Sequence, residues 1–334
     1  MGASAFAIYL NSNARRVSPD VVSRIEDLVH PDDIYYAHTQ EDARELADRI
    51  LERGYPTVFT GGGDGTVCGF INALHGAAGS VGARGLPTLG VLSLGTGNAL
   101  SRLVSSGSAI QDLKAYVTNP TRDHVHLPLV ECEGQLFPFG GAGIDAEILA
   151  DYDALKERIG DGPLKPLLKN VVGYFVAFFS ATGPRKLQKM IRGENLTIKV
   201  TNLGDNAYEV GEEGDRSRAY GSGEIMFEGP TNAIIAGTIP MIGYGARLLP
   251  MTDNVADFMQ LRVVRIGVAR ALVSLPEIWS GDYRGEGFRD FLTRKVRVQM
   301  SEPAPFQVAG DLVGHRDVLD FELVPDAIKL LRFI

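Results

Sequence analysis

Residues 57–72 read TVFTGGGDGTVCGFIN, and this junction constrains the fold more than any other stretch of the chain. A short apolar strand pattern at Val58-Phe59 runs straight into Gly61-Gly62-Gly63-Asp64-Gly65-Thr66, and a helical pattern begins near Val67. Glycines at a strand-to-helix turn let backbone N–H groups come close to an anion, and the helix N-terminus adds the positive end of its dipole. A turn that only reversed the chain would not need three consecutive glycines followed by Asp-Gly-Thr. Strand, anion-binding loop and helix in that order belong to an α/β sheet.

The flanking sequence repeats the alternation. Residues 5–10 read as a strand ending at Asn11, and Ser18-Pro19 opens a helix that places Val21, Val22, Ile25, Leu28 and Val29 on one face. Thr39-Gln40-Glu41-Asp42 resembles a capping box, before a helix that buries Ala43, Leu46, Ala47, Ile50 and Leu51 and stops at Gly54. Residues 88–92 form a further strand, which exits into Ser93-Leu94-Gly95-Thr96-Gly97-Asn98 and another helix. Strands alternating with helices imply a parallel sheet with right-handed crossovers, and ligands gather beyond the carboxyl ends of such strands. Asn11, 61–66 and 95–98 all fall at those ends.

Asp64 is the unusual member of the loop. A bare carboxylate facing phosphates is repelled unless a divalent cation lies between them or the acid has a chemical role. The loop therefore points to phosphoryl transfer from a nucleotide over plain dinucleotide binding. Gly61-x-Gly63 and Gly95-x-Gly97 echo a dinucleotide fingerprint, but neither has the third glycine three residues on. A Gly-Lys-Ser/Thr phosphate loop is absent from the sequence.

From about residue 122 the texture changes to strand-like runs at 124–132, 136–139, 196–200, 223–227, 233–239, 260–264, 296–300 and 306–308. Turns rich in glycine and charge separate many of them, which predicts an antiparallel second domain, a sandwich. A helical interlude spans roughly 151–192, a second helix is expected near 270–279, and 204–221 reads as a surface loop or a disordered stretch. Within the interlude, 171–179 is intensely apolar between basic flanks. It reads either as a buried helix over the second sheet or as a membrane-docking helix. His124-x-His126 lacks a third ligand in the sequence and is taken as a pair of ordinary strand histidines.

With 334 residues the chain can fill two full cores. A net charge of −8 argues against a nucleic-acid partner. Two cysteines without metal-ligand spacing, Cys68 and Cys132, suit reduced thiols in the cytoplasm. The first apolar run is too short for a signal peptide, and Phe6 stands where a myristoylation start needs Ser or Thr. The expected location is cytoplasmic, peripheral at the inner membrane surface at most, since no window reaches the ~20 apolar residues of a span.

Gly62-Gly63-Asp64-Gly65-Thr66, followed about thirty positions later by Gly95-Thr96-Gly97-Asn98, resembles the paired loops of the diacylglycerol kinase catalytic-domain family. That family includes bacterial lipid kinases and the sphingosine and ceramide kinases, and it is related to NAD kinases. Asn11 resembles its first-strand asparagine, and Thr39 with Asp42-Ala43 its threonine and acid-alanine pair. Gly141-x-Gly143-x-Asp145-Ala146 and Gly243-Tyr244-Gly245-Ala246-Arg247-Leu248-Leu249-Pro250 resemble later segments, so the likeness covers nearly the whole chain.

The resemblance implies an NAD-kinase-like α/β domain with a parallel sheet at 1–122, a mainly antiparallel β-sandwich substrate domain at 123–318, and a C-terminal segment, 319–334, returning to the first domain. It implies ATP and Mg²⁺, with Asn11, Thr39, Gly62, Gly63, Asp64, Gly65, Thr66, Gly95, Thr96, Gly97 and Asn98 around the nucleotide. Asp64 would organise the metal and the transferring phosphoryl. Asp145 would orient the acceptor hydroxyl, unless it is a turn aspartate satisfying local backbone. The implied partner is a lipid hydroxyl, of diacylglycerol or a sphingoid or ceramide lipid, at a membrane surface. A homodimer is left open. A soluble-substrate kinase like the NAD kinases and a noncatalytic nucleotide or lipid binder are the other readings.

Three positions depart from the family pattern. Its late Asp-Gly-Glu, whose aspartate is regarded as the general base, falls on Ala309-Gly310-Asp311. If 308–312 runs extended, Asp311 shares a face with position 309 and can stand in as a catalytic base. An Asp-rich metal segment is reduced to Asp253 and Asp257, and Cys68-Gly69 replaces Asn-Glu after the first loop.

Overall fold

Apolar runs of four to six residues that lead into glycine, asparagine or serine build the first sheet. The computed structural model describes residues 6–14, 16–79, 85–159, 196–211, 214–255 and 257–334. The apolar stretch 171–179 with its basic flanks lies outside the described residues. The chain divides into two units, one of Met1–Leu129, Gly243–Gly245 and Val324–Ile334, the other of Val130–Ile242 and Ala246–Leu323.

The first unit runs β1 (Ala7–Asn11), α1 (Pro19–Glu26), β2 (Ile34–Ala37), α2 (Gln40–Glu52), β3 (Thr57–Gly62), α3 (Asp64–Ala78), β4 (Thr88–Ser93), α4 (Ala99–Val104) and α5 (Ala109–Thr118). β1 pairs in parallel with β2 and β3, and β3 with β4. Leu330, near the end of the last strand β16 (Asp311–Leu331), adds a parallel partner at Leu89. Ile8, Leu10, Phe59, Leu92 and Leu94 of the strands and their exits pack with Ile25, Ile110, Leu113 and Tyr116 of α1 and α5. On the other side of β1, Tyr9 stacks on Phe70 of α3, with ring centroids 4.0 Å apart. Strands buried on both faces in this way belong to a parallel sheet covered by helices.

Local signals start the helices. Ser18 accepts a hydrogen bond from the Val21 amide with Pro19 in the first turn of α1. Thr39 and Asp42 form a reciprocal capping box at α2, a type of cap worth about 1 kcal/mol. The capping box read from the sequence is present.

The second unit is antiparallel and β-rich. It takes in the end of β5 (His124–Cys132), then β6 (Gln135–Phe137), β7 (Phe139–Gly143), α6 (Ile144–Ile159), β8 (Thr197–Asn202), β9 (Asn206–Val210), β10 (Arg216–Gly221), β11 (Ile225–Pro230), β12 (Ala233–Gly237) and β13 (Met259–Val264). Two short helices, α7 (Val268–Val273) and α8 (Leu275–Ser280), precede β14 (Phe288–Thr293), β15 (Lys295–Val308) and β16. The sheet runs β10-β9-β14-β13-β12-β7-β15-β16, and β8, carrying β11, pairs with the first half of β15. Across β13 and β14 the buried Arg262 forks onto Asp290, with Nε and Nη2 each 2.7 Å from a carboxylate oxygen.

Several sequence expectations change here. The stretch 204–221, read as a loop, is the β9–β10 hairpin. Its outward positions are charged and exposed, so only Ala207 and Tyr220 carry a core signal. The runs 296–300 and 306–308 are one strand, β15, whose register shifts between Gln299 and Ala304, around Pro303. β2 is only four residues long and β14 lacks clean alternation, and neither was anticipated. The helix expected near 270–279 is two helices broken at Ser274.

Candidate active site

Parallel register sets the strand exits of the first unit side by side. Asn11 pairs with Ala37, Leu10 with Gly61, and Gly62 with Ser93. The segments after these residues, 12–14, 38–39, 63–66 and 94–98, therefore leave one edge of the sheet together.

Two of them pack backbone on backbone. A Cβ on Gly95 would lie 2.1 Å from the Cα of Gly63 and 2.8 Å from the carbonyl oxygen of Gly62, so only glycine fits. Asn98, left-handed at φ 54°, closes its own loop: its Oδ1 accepts from the Gly95 amide at 3.0 Å, and its Nδ2 donates to the Gly95 carbonyl at 2.8 Å. Gly97 lies against Gly243, whose Cα would be 3.5 Å from an added Cβ. The late glycine run thus contributes residues 243–245 to this edge. Thr96 is exposed beside them.

Asp64, buried at the start of α3, joins the two loops. Its Oδ2 accepts from the Ala99 amide at 2.9 Å and its Oδ1 from the Leu100 amide at 3.0 Å. The sequence placed Asp64 opposite phosphates. In the structure its carboxylate also holds the second loop onto the first, a use that no spacing rule reveals. Gly63 is the N-cap of α3 and supplies no side-chain cap, which leaves the first-turn amides of a 15-residue helix to other acceptors, with Gly65 and Thr66 in that turn. Asn11 donates from Nδ2 to the Thr66 hydroxyl at 2.9 Å. Thr39 uses its hydroxyl to accept from the Asp42 amide at 3.1 Å. The Asp42 carboxylate accepts from the amides of His38 and Thr39, and these bonds hold it below the usual carboxylate range.

The donor set fits a nucleotide phosphate with its own magnesium. Backbone amides at a glycine-lined helix start suit phosphate oxygens. Asp64 is the one carboxylate within 61–66 and 95–98, and Mg²⁺ is usually held by one or two carboxylates together with substrate phosphates. Among the described residues no cluster of three acidic, His or Cys side chains forms a dedicated metal cage. Asp253 pairs with Arg247. His126 faces Asp326, with Nδ1 3.3 Å from the carboxylate.

Asp145 belongs to the second unit, in the first turn of α6. Gly143 precedes it at φ 104°, and a Cβ there would meet the Asn232 carbonyl oxygen at 2.5 Å. The residue keeps partial exposure, yet its Oδ1 is sealed from solvent and has no hydrogen-bond partner. Oδ2 accepts from Gln307 Nε2 at 3.2 Å. Burial pushes this carboxyl up to about 6, against the pull of the Gln307 bond. Gln307 was not singled out in the sequence. It lies two residues before Ala309 on β15, and its Oε1 accepts from the Gly310 amide at 2.9 Å.

That turn corrects the reading of 308–312 as extended. Ala309 and Gly310 have φ 49° and 90°, and Val308 pairs with Asp311 across them. The chain reverses, so Asp311 starts the return strand, exposed, and does not share a face with position 309. A two-residue hairpin with positive φ at both positions favours Asn-Gly or Asp-Gly. Ala309 therefore departs from turn chemistry as well as from the family pattern.

Comparison with known proteins supports the family resemblance. Residues 8–127 match the model of the diacylglycerol kinase catalytic domain. No curated protein sequence matches the chain. A solved structure of a diacylglycerol kinase from Bacillus anthracis str. Sterne superposes with a TM-score of 0.60 at 14% identity, over 98% of this chain and 97% of that one. Two further structures from the same organism, described as candidate diacylglycerol kinases, give TM-scores of 0.64 and 0.61 at 17% and 18% identity, with the same coverage of both chains. Residues 8–127 thus match the diacylglycerol kinase catalytic-domain model, and the chain shares the fold of these solved structures along its length.

Proposed function

We propose that this protein is an ATP- and Mg²⁺-dependent lipid kinase that transfers the γ-phosphoryl group to a lipid hydroxyl of diacylglycerol, sphingoid or ceramide type. The observation that carries the reading is the pair of glycine loops packed at Gly95 and Gly63 and joined through Asp64.

In this reading the amides of 63–66 and the side chains of Asn11, Thr39 and Thr66 bind and orient the nucleotide, with Thr96, Gly97 and Asn98 shaping the same edge. Asp64 would hold the metal, which would supply positive charge against the phosphates. The acceptor oxygen forms its bond to the γ-phosphorus as the bond from that phosphorus to the β–γ bridging oxygen breaks and ADP leaves. Asp145 orients the acceptor hydroxyl and takes its proton on the carboxyl that Gln307 holds in place. A carboxyl raised to about 6 is better matched to that task near neutral pH than an ordinary aspartate.

One observation favours a second reading, a nucleotide binder without transfer. Ala309 occupies the turn position where the family pattern carries an acid. Incubation with labelled ATP and separate samples of diacylglycerol, sphingosine, ceramide and NAD tests both readings. Label is expected in a lipid, and Asp64→Asn should abolish it. Label in NAD alone would overturn the lipid assignment, and ATP binding with no transfer would favour the binder.

A further inference from the structure

The α7–α8 hairpin presents an apolar tip. Val273 is 84% exposed, against 59% for Ile334, the next most exposed large hydrophobic among the described residues, and its neighbour Leu272 is 38% exposed. Leu275, Ile278 and Trp279 are half-buried behind the tip. The base of the hairpin is firmly tied. The Trp279 carbonyl accepts from the Arg247 amide at 2.9 Å, and Gly281, left-handed at φ 82°, ends α8. An exposed Leu-Val pair on a fixed element is a poor arrangement for a surface facing only water.

The charged residue nearest before the tip in sequence is basic, Arg270 on α7, and the first acid after it is the exposed Glu277 on α8. Arg265 and Arg270 are exposed, and among the described residues neither pairs with a carboxylate. No acid occurs between Asp257 and Glu277, although the whole chain carries a net charge of −8. Two exposed arginines leading into an apolar tip, on an otherwise acidic protein, complement a bilayer with anionic headgroups. Aliphatic side chains enter the acyl boundary, arginines meet the phosphates, and a tryptophan suits the interface.

We infer that the α7–α8 hairpin docks this protein on an anionic lipid bilayer, with Leu272 and Val273 inserted and Arg265 and Arg270 on the headgroups. The inference rests on the lipid-acceptor reading for its purpose, since such an enzyme must reach a substrate held in a membrane. Its physical case stands on exposure and charge.

Trp279 is the only tryptophan in the chain and serves as a built-in reporter. The full chain should float with vesicles of phosphatidylcholine and phosphatidylglycerol, bind less in high salt, and show a blue shift of Trp279 emission. Leu272→Ser with Val273→Ser should lower partitioning about tenfold or more, and Arg270→Glu about fivefold or more at low salt. Circular dichroism checks that the variants remain folded. Absence of vesicle binding by the wild type, or unchanged binding by both folded variants, would overturn the inference. So would a wild-type dimer that the double variant dissociates while vesicle binding persists, because the face would then join two copies. Phosphorylation of a water-soluble short-chain acceptor is scored separately. A variant that loses vesicles but keeps this transfer supports docking, and a wild type that binds vesicles but phosphorylates no lipid sinks the kinase reading alone.

Discussion

Gly95 lies against Gly63 so closely that one added carbon would fall 2.1 Å from the Gly63 Cα. The contact joins the two loops that the sequence could only set about thirty positions apart, and it explains why position 95 needs glycine.

Gly95→Ala is expected to destabilise the protein by about 1–3 kcal/mol, because the obstructing atoms are backbone and have no rotamer to change. ATP affinity should fall with it. Gly69→Ala is the matched control. Gly69 is exposed within α3, and a Cβ there meets nothing within 4 Å, so the substitution should stabilise by ~0.5–1 kcal/mol through helix propensity. Denaturant titration with and without ATP measures both.

Asp145 should make stability depend on pH. Its folded pKa is raised by burial from 3.8 to about 6, so the folded chain holds the proton more tightly than the unfolded one. The contribution favours folding at low pH and is lost as pH rises through that window. Relative to Asp145→Asn, the wild type should be of similar stability below pH 4 and weaker by up to ~3 kcal/mol at pH 8. Urea unfolding at the two pH values tests this. Turnover by Asp145→Asn should fall about 10²-fold or more, and the wild-type rate should rise through an apparent pKa near 6.

Ala309 is an L-residue in left-handed backbone. Ala309→Gly should relieve that strain and stabilise by up to about 1 kcal/mol, read from the denaturation midpoint. If Asp145 takes the acceptor proton, Ala309→Asp should change turnover less than about tenfold. A gain of ~10² or more would assign the base role to position 309 instead.

Removing Asp290 should be costly. Arg262 is 2% exposed and forks onto this carboxylate, so Asp290→Ala leaves a buried charge without its partner and should cost about 3–5 kcal/mol. Equilibrium unfolding measures the loss.

Much of the first unit could be read in advance. The β3–α3 junction, the paired loops and the capping box at Thr39 are local: a strand pattern, a glycine run and a cap each lie within a few consecutive residues. The antiparallel character of the second unit was also visible in its short runs. The β9–β10 hairpin was not, because many of its outward residues are charged or polar, and β15 reads as two runs in the sequence, with Pro303 and Pro305 between them. Gln307 gave no signal, since its importance comes from two partners, Asp145 and Gly310, one of them 162 positions away.

By itself the sequence determined that a glycine-rich strand-to-helix loop exists and that an acid sits within it, because backbone freedom and helix starts depend on neighbouring residues. Only the tertiary structure decided what that acid holds, the amides of Ala99 and Leu100. It alone showed Ala309-Gly310 as a reversal, not an extension. Pairing register and burial are set by residues far apart in the chain, and they govern which lone pairs find partners and which carboxyl is kept from water.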